Sequence, residues 1–387
     1  MRPFTLFALA MLIGGCAATG RPGAAVSAQV RVAFDAEAVT GARASGAADP
    51  VSGRRVTADD AVRVASISKL VVALGVMRMV EAGQLDLDRD VSAWLGWPLR
   101  NPAFPDVPVT LRQLLSHRSG LIDPEEYRVP LGEQLRAVVT RPGTWDAAHR
   151  PGAWFRYANI GFPVIASVME RAGGERFDRL MQRLVFEPLK LDACFNWSTC
   201  SDGKIARAVV LYRSTGEVAL DDLDGKRPDC PVIAKAGCDL AGYQLGENGA
   251  LFSPQGGLRA SMRDLAVIGR MLLRNDGSFV KRESIAEIEW VGWRFDGANG
   301  DPSGGLYCQY GLAVTALPTA QAGCADDLFG DTRARVGHAG EAYGVRSGLW
   351  IDRAAGTGVA FFATATPPDS KGRSAFSREE ERLARAK

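Results

Sequence analysis

The sequence predicts an α/β (α+β) fold: an antiparallel sheet flanked by helices is formed by both ends of the chain, and a mainly helical lobe is inserted between them. Three observations carry this. Apolar and polar residues alternate near the start, a hairpin pattern lies near the end, and the stretch between is dominated by helix starts, helix stops and apolar residues at helical spacing. Residues 26–85 and 285–387 are assigned to the α/β lobe and residues 86–284 to the helical one.

The first strand is Val26 to Phe34, where Val26, Ala28, Val30, Val32 and Phe34 are apolar and Ser27, Gln29 and Arg31 fall between them. Val56 to Val64 reads as a second short strand running toward Ser66. Leu70 to Val80 is apolar nearly all the way round, broken only by Gly75 and Arg78, and Gly83 is placed to stop it. A helix apolar on every side belongs in the middle of a protein. Thr110 to Gln113 forms a capping box for a short helix that carries Leu114, Leu115 and His117 and ends at Gly120. Ile160 to Glu170 and Phe177 to Phe186 read as further helices. Ser261 to Asp264 caps another, which runs through Leu273 and closes at Asn275-Asp276-Gly277. Gly348 to Asp352 and Gly358 to Thr364 then face each other across Arg353 to Thr357, a hairpin signal. The charged tail from Ser377 to Lys387 fits a final amphipathic helix.

The extreme N terminus speaks to the compartment. Arg2 is followed by an uncharged apolar run from Phe4 to Ile13, too short for a comfortable membrane span, so residues 1–15 read as a signal peptide. The run ends in Gly14-Gly15-Cys16, which resembles a bacterial lipobox with Cys16 as the lipidated residue, and residues 16–25 read as a flexible tether. The expected location is periplasm-facing, at the outer membrane. Six further cysteines fall in close pairs along the chain: Cys194 and Cys200, Cys230 and Cys238, Cys308 and Cys324. Such pairs fit disulfides in an oxidising compartment; six cysteines allow fifteen connectivities, of which nearest-neighbour pairing is the preferred one. The three histidines do not stand at zinc-finger spacing from any Cys pair, which speaks against a metal cluster. With 46 Lys and Arg against 44 Asp and Glu, and no basic run interleaved with aromatics, nothing points to nucleic acid.

Three short patterns carry chemistry. In Ser66-Ile67-Ser68-Lys69, Ser66 and Lys69 share a helical face. At a helix start the Ser66 N–H is one of the unpaired donors, which favour a negative oxygen. A serine hydroxyl needs a neighbouring base to act as a nucleophile. Lys69 can be that base only when neutral, so its ordinary pKa of about 10.4 must fall by roughly 3, at a cost on the order of 4 kcal/mol. Burial on an all-apolar helix is the setting for that. Two other Ser-x-x-Lys copies, Ser201 to Lys204 and Ser278 to Lys281, open no long buried helix. Tyr157-Ala158-Asn159 is the second pattern: the tyrosine can relay a proton to a leaving group, and Asn159 can hold Lys69 and a substrate oxygen. His338-Ala339-Gly340 is the third, at the start of the C-terminal strands. A strand edge with a glycine admits close backbone approach, and the N–H of Glu341 is a candidate second oxyanion donor. Lys235-Ala236-Gly237 is a weaker rival in a Cys-rich, loop-like stretch. His117 and His149 read as structural.

Ser-x-x-Lys, then Tyr-x-Asn, then His-x-Gly is the order of the β-lactamase/penicillin-recognising serine hydrolases. Val64 to Leu70, Glu81 to Leu87, Thr110 to Leu121, Pro151 to Phe162, and Gly256 to Leu258 with Asp264 also resemble the class C β-lactamase branch, so the resemblance spans Val26 to Thr364. It implies a β-lactamase/transpeptidase-like fold and an acyl-enzyme mechanism: Ser66 attacks a carbonyl, Lys69 and Tyr157 shuttle the proton, and two backbone N–H groups hold the oxyanion. It implies no cofactor and no metal. His338 departs from the Lys-Thr-Gly of true class C enzymes and resembles the related esterases and D-amino-acid peptidases. The expected function is therefore hydrolysis of an ester or peptide amide by a monomer tethered to the membrane through Cys16. The alternatives are a weak β-lactamase and a peptide- or peptidoglycan-binding lipoprotein without turnover. Denatured, unreduced protein should expose no free thiol from the six paired cysteines when titrated with a thiol reagent; six reactive thiols would overturn both the pairing and the compartment.

Overall fold

The alternation at the start of the chain puts Val30, Val32 and Phe34 on one face of strand β1 (Gln29–Asp35), all of them buried. In the computed structural model, which describes residues 27–386, this strand lies inside an eight-stranded antiparallel sheet. The signal peptide, Cys16 and the tether expected above lie outside the described residues. The other strands are β2 (Val39–Ser45), β3 (Trp293–Arg294), β4 (Gln309–Tyr310), β5 (Thr315–Leu317), β6 (Arg335–Ala342), β7 (Val345–Asp352) and β8 (Thr357–Ala363). Their order is β3-β4-β5-β6-β7-β8-β1-β2. The first and last strands pair from Gln29 with Ala363 to Asp35 with Thr357, so the two ends of the chain meet inside the sheet.

Alternate residues of β7 and β8 face opposite ways. Leu349, Ile351, Ala360 and Phe362 join the main core, while Trp350 and Phe361 pack with Phe376, Leu383 and Ala384 of the C-terminal segment. The helices that cover these faces begin where the sequence marks them. The main-core face is covered by α1 (Ile67–Glu81) and by a helix at Met262–Arg274, whose Ser261–Asp264 capping box is formed and whose stop is Asn275 in the left-handed region. The sequence reading placed Met262–Arg274 with the helical lobe; its apolar face instead packs on β1, β7 and β8. The tail helix Arg378–Arg385, capped by Ser377, covers the opposite face.

Three local expectations change. Only Val62–Arg63 of the expected strand Val56–Val64 is extended and paired, with Leu258–Ala260, because Thr57 to Asp60 closes a turn in which Asp60 Oδ2 accepts from the Thr57 N–H. The helix opened by Thr110 ends at Leu115, so His117 lies beyond it with φ +54° rather than on it. Phe177–Phe186 is one α turn, Phe177–Met181, followed by a wider π turn, Gln182–Phe186.

Gly340 sets how β6 meets the start of α1. A Cβ there would lie 2.3 Å from Val64 O and 2.4 Å from Ser347 Oγ, so only a glycine lets β6 close against the residues just before Ser66. Gly340→Ala should lower stability by about 1–3 kcal/mol, measured by urea unfolding. Gly41→Ala, where a Cβ meets nothing within 4 Å, should change it by no more than about 0.5 kcal/mol; equal effects at both sites would refute the packing account.

Candidate active site

Ser66 is delivered by strand Val62–Arg63 and one strained residue. Ala65 adopts φ +48°, a region costly for a residue with a Cβ, and this turns the chain from strand into α1. Ser66 itself sits immediately before the helix, and among the described residues no hydrogen bond takes up its N–H. Ser68, between the two reactive residues, is structural: its Oγ donates to Ala65 O at 2.6 Å and accepts from the Leu258 N–H at 3.1 Å.

Lys69 is fully buried, with Nζ 2.9 Å from Ser66 Oγ. Its N–H groups reach Asn159 Oδ1 at 2.9 Å and the Gln255 carbonyl at 2.8 Å. Burial brings the amine down to about 7; Asp123 opposes the shift and Arg63 adds to it. A neutral amine has two N–H groups. Asn159 and Gln255 occupy both, which leaves the lone pair for the Ser66 hydroxyl.

Tyr157 packs beside this pair, its ring stacked on Tyr307 at 4.5 Å and against His117 at 4.2 Å. Its buried Oη faces Ser66 and Tyr307 without closing a well-aligned hydrogen bond to either. Burial raises its pKa well above the ordinary tyrosine value; the Tyr307 side raises it further and the Ser66 hydroxyl lowers it. The phenol therefore keeps its proton at neutral pH. Asn159 is held from behind: its Nδ2 donates to Asp123 Oδ2 at 2.9 Å, and Asp123 Oδ1 accepts the Ile160 N–H at 2.8 Å. Sequence reasoning missed both Asp123 and the Gln255 carbonyl.

His338 is not where the third pattern led us to expect it. Ala339, Gly340 and Glu341 line the cavity in front of Ser66, but the His338 ring is fully buried and turned into the sheet. Its Nδ1 donates to the Ala339 carbonyl, so its Nε2 accepts the Tyr310 hydroxyl at 2.8 Å. Tyr310 Oη in turn accepts from His117 Nε2 at 3.2 Å, and His117 Nδ1 accepts the Ala158 N–H at 3.2 Å. This chain fixes both tautomers and keeps both rings neutral. Burial, aided by the nearby Lys69, holds His338 at about 3 and His117 well below its ordinary value. The direct substrate contact expected of His338 is corrected accordingly: Tyr310, two strands away on β4, pulls the ring inward. Glu341 has an exposed side chain that pairs with Arg346. His117 is structural as expected, bonded to the Ala158 backbone N–H and also to Tyr310. His149 bonds Asp146 at 2.9 Å and stacks on Trp154.

The rival patterns stand apart. Ser201 caps a four-residue helix, Asp202–Ile205, while Lys204 pairs with Asp264 at 2.6 Å. Ser278 and Lys281 are exposed at the two ends of a connection, with Phe279 and Val280 buried between them, before helix Arg282–Glu289. Lys235 is exposed and pairs with Glu133. The six cysteines pair as nearest neighbours, 194 with 200, 230 with 238 and 308 with 324. Each link has a residue of the cavity of about 1030 Å³ at Ser66 in or beside it: Asn196 and Trp197 lie within the first loop, Cys230 lines the wall itself, and Tyr307 precedes Cys308.

This geometry can be set beside known proteins. The family model described as Beta-lactamase matches residues 11–384. Esterase EstB of Burkholderia gladioli is 33% identical over 175 residues, 39% of this chain and 42% of the esterase. The D-alanyl-D-alanine-carboxypeptidase/endopeptidase AmpH of Escherichia coli K12 is 28% identical over 156 residues, 38% of this chain and 40% of that protein. The alignments thus cover less than half of either relative. Among solved structures, EstCE1, a hydrolase with promiscuous acyltransferase activity, superposes with a TM-score of 0.69 at 20% identity over 94% of both chains. The D-amino acid amidase of Ochrobactrum anthropi SV3 gives 0.67 at 20% identity over 92% of both. These structures share the fold. With a family model matched across nearly the whole chain and a fold shared with these structures, the chain belongs to the Beta-lactamase family.

Proposed function

We propose that this protein is a serine hydrolase that cleaves an ester or a peptide amide through an acyl-enzyme on Ser66. The observation that carries the reading is the buried Lys69 amine, held at about 7 and 2.9 Å from Ser66 Oγ. At neutral pH a large fraction of Lys69 is the free amine and accepts the Ser66 proton as Oγ attacks the carbonyl. The N–H groups of Ser66 and Glu341 receive the developing oxyanion. Tyr157, kept protonated by burial, acts as the acid toward the leaving group, and Lys69 returns its proton through Tyr157. Water then releases the acyl group by the reverse path.

His338 is neutral and buried, so the third pattern offers no cation to a β-lactam carboxylate. This supports an esterase or cell-wall and D-amino-acid peptidase role over β-lactam hydrolysis. The three disulfides support an exported, periplasm-facing protein, and a lipid on Cys16 would anchor it there.

Short-chain p-nitrophenyl ester turnover should fall by at least about 10³-fold in Ser66→Ala, and a fluorophosphonate probe should label wild type but not the variant. Little nitrocefin turnover is expected; fast turnover would favour the β-lactamase reading, and an unlabelled Ser66 would favour a binding-only lipoprotein. The pH profile carries a sign. The charged amine is inactive, so kcat/KM should rise with pH through a limb near 7, well below the ordinary lysine value of about 10.4. Asp123 stabilises the ammonium, so Asp123→Asn should move that limb to lower pH. A limb that stays put or moves upward would refute this electrostatic assignment.

A further inference from the structure

The cations around the Ser66 cavity are not all matched. Arg259 is paired with the buried Asp221 at 2.7 Å, Arg346 with Glu341, and Arg128 with Glu126 at 2.7 Å. Glu380, also on the wall, is occupied by the Ser377 N–H and hydroxyl. Two side chains differ: among the described residues neither Arg213 nor Arg63 has an ion pair or a side-chain hydrogen bond, but Arg213 is exposed to solvent, whereas Arg63 is half-buried with its Nε enclosed and without a partner. It stands three residues before Ser66 on the rigid pair Val62–Arg63/Leu258–Ala260, directly across from Arg259. The Tyr343 ring lies 5.1 Å from its guanidinium carbon. Its Nη2 is 3.7 Å from the Cβ position of Gly256, the residue after the Gln255 carbonyl that binds Lys69. The guanidinium thus opens onto the same cavity as the nucleophile.

A half-buried guanidinium left unpaired is costly, and its forked donors match a carboxylate. Arg63 keeps its charge at neutral pH: burial and the neighbouring Arg259 lower it only to about 10. We propose that Arg63 is the recognition point for a carboxylate on the substrate, so that acidic esters or amides are turned over in preference to neutral ones. The proposal rests on the serine-hydrolase reading and deepens it. The charge that His338 does not supply is provided by the strand that leads into Ser66.

Two matched pairs test it. One is p-nitrophenyl hemiglutarate beside p-nitrophenyl valerate; the other is an acylated dipeptide ending in D-alanine beside its C-terminal amide. Wild type should prefer the acid member of at least one pair by roughly 10- to 100-fold in kcat/KM, mostly through KM. Arg63→Met should collapse that ratio toward one, and Arg63→Lys should restore part of it. No preference in either pair, or a ratio unchanged in Arg63→Met, overturns the proposal. If Arg63→Met does not fold, inhibition of wild type by free glutarate but not by its diamide supports the assignment, and equal or absent inhibition overturns it. If wild type cleaves none of the four compounds, the hydrolase reading is what fails for them. Calorimetry of glutarate binding to Ser66→Ala, with and without Arg63→Met, then decides the subsite alone: binding lost with Arg63 supports it, and no binding to Ser66→Ala refutes it.

Discussion

The site depends on one constraint: a lysine amine must stay uncharged while touching the hydroxyl it serves. Burial does this, and the burial comes from the sequence of α1, apolar on every side and packed in the core. Its neighbours refine the result. Two carbonyl oxygens, from Asn159 and Gln255, satisfy the amine without adding a counter-charge. The nearest carboxylate, Asp123, would return the proton if it touched Nζ. It is held one residue back, its oxygens occupied by Asn159 Nδ2 and the Ile160 N–H. The amide of Asn159 therefore positions Lys69 and also separates it from Asp123.

The same requirement explains the third pattern. A further cation beside Lys69 would push the amine lower still, as Arg63 already does in part. The protein places a neutral chain there instead, His117 to Tyr310 to His338, in which every ring nitrogen and the shared hydroxyl has a partner. The chain also braces the Tyr157 ring, which His117 and Tyr307 touch. The phenol thus faces Ser66 from a rigid aromatic wall, with burial keeping its proton in place.

What the sequence revealed divides along the reach of the interactions. Ser66 and Lys69 were legible because three residues of helix join them, and the capping boxes at Thr110, Ser261 and Ser377 because each closes within one turn. The β7–β8 hairpin was legible from strand alternation. Asp123 was not, because its meaning lies in an amide 36 residues away. The Gln255 carbonyl is 186 residues from Lys69 and carries no side-chain signal at all. His338 was located on its strand, yet the direction of its ring depends on Tyr310, whose position follows from sheet order and not from local spacing. The turn at Thr57–Asp60 replaced a strand for a similar reason: one buried carboxylate there accepts a backbone N–H and pairs with Arg54 and Arg207.

The cysteine-bearing stretches complete the argument, because alone they hold no reactive group. Loops of this kind pay conformational entropy to stay in one shape, and a covalent link removes part of that cost. Here one link has a cysteine in the cavity wall, and the other two stand beside residues that line it. The 194–200 link frames Asn196 and Trp197, the 230–238 link holds Cys230 in the wall, and the 308–324 link anchors the residue after Tyr307. Ser66 and Lys69 thus stand at the start of a buried helix, while part of the cavity wall around them is loop held by sulfur. Tyr307 joins the two: its ring stacks on Tyr157 and its backbone runs directly into Cys308.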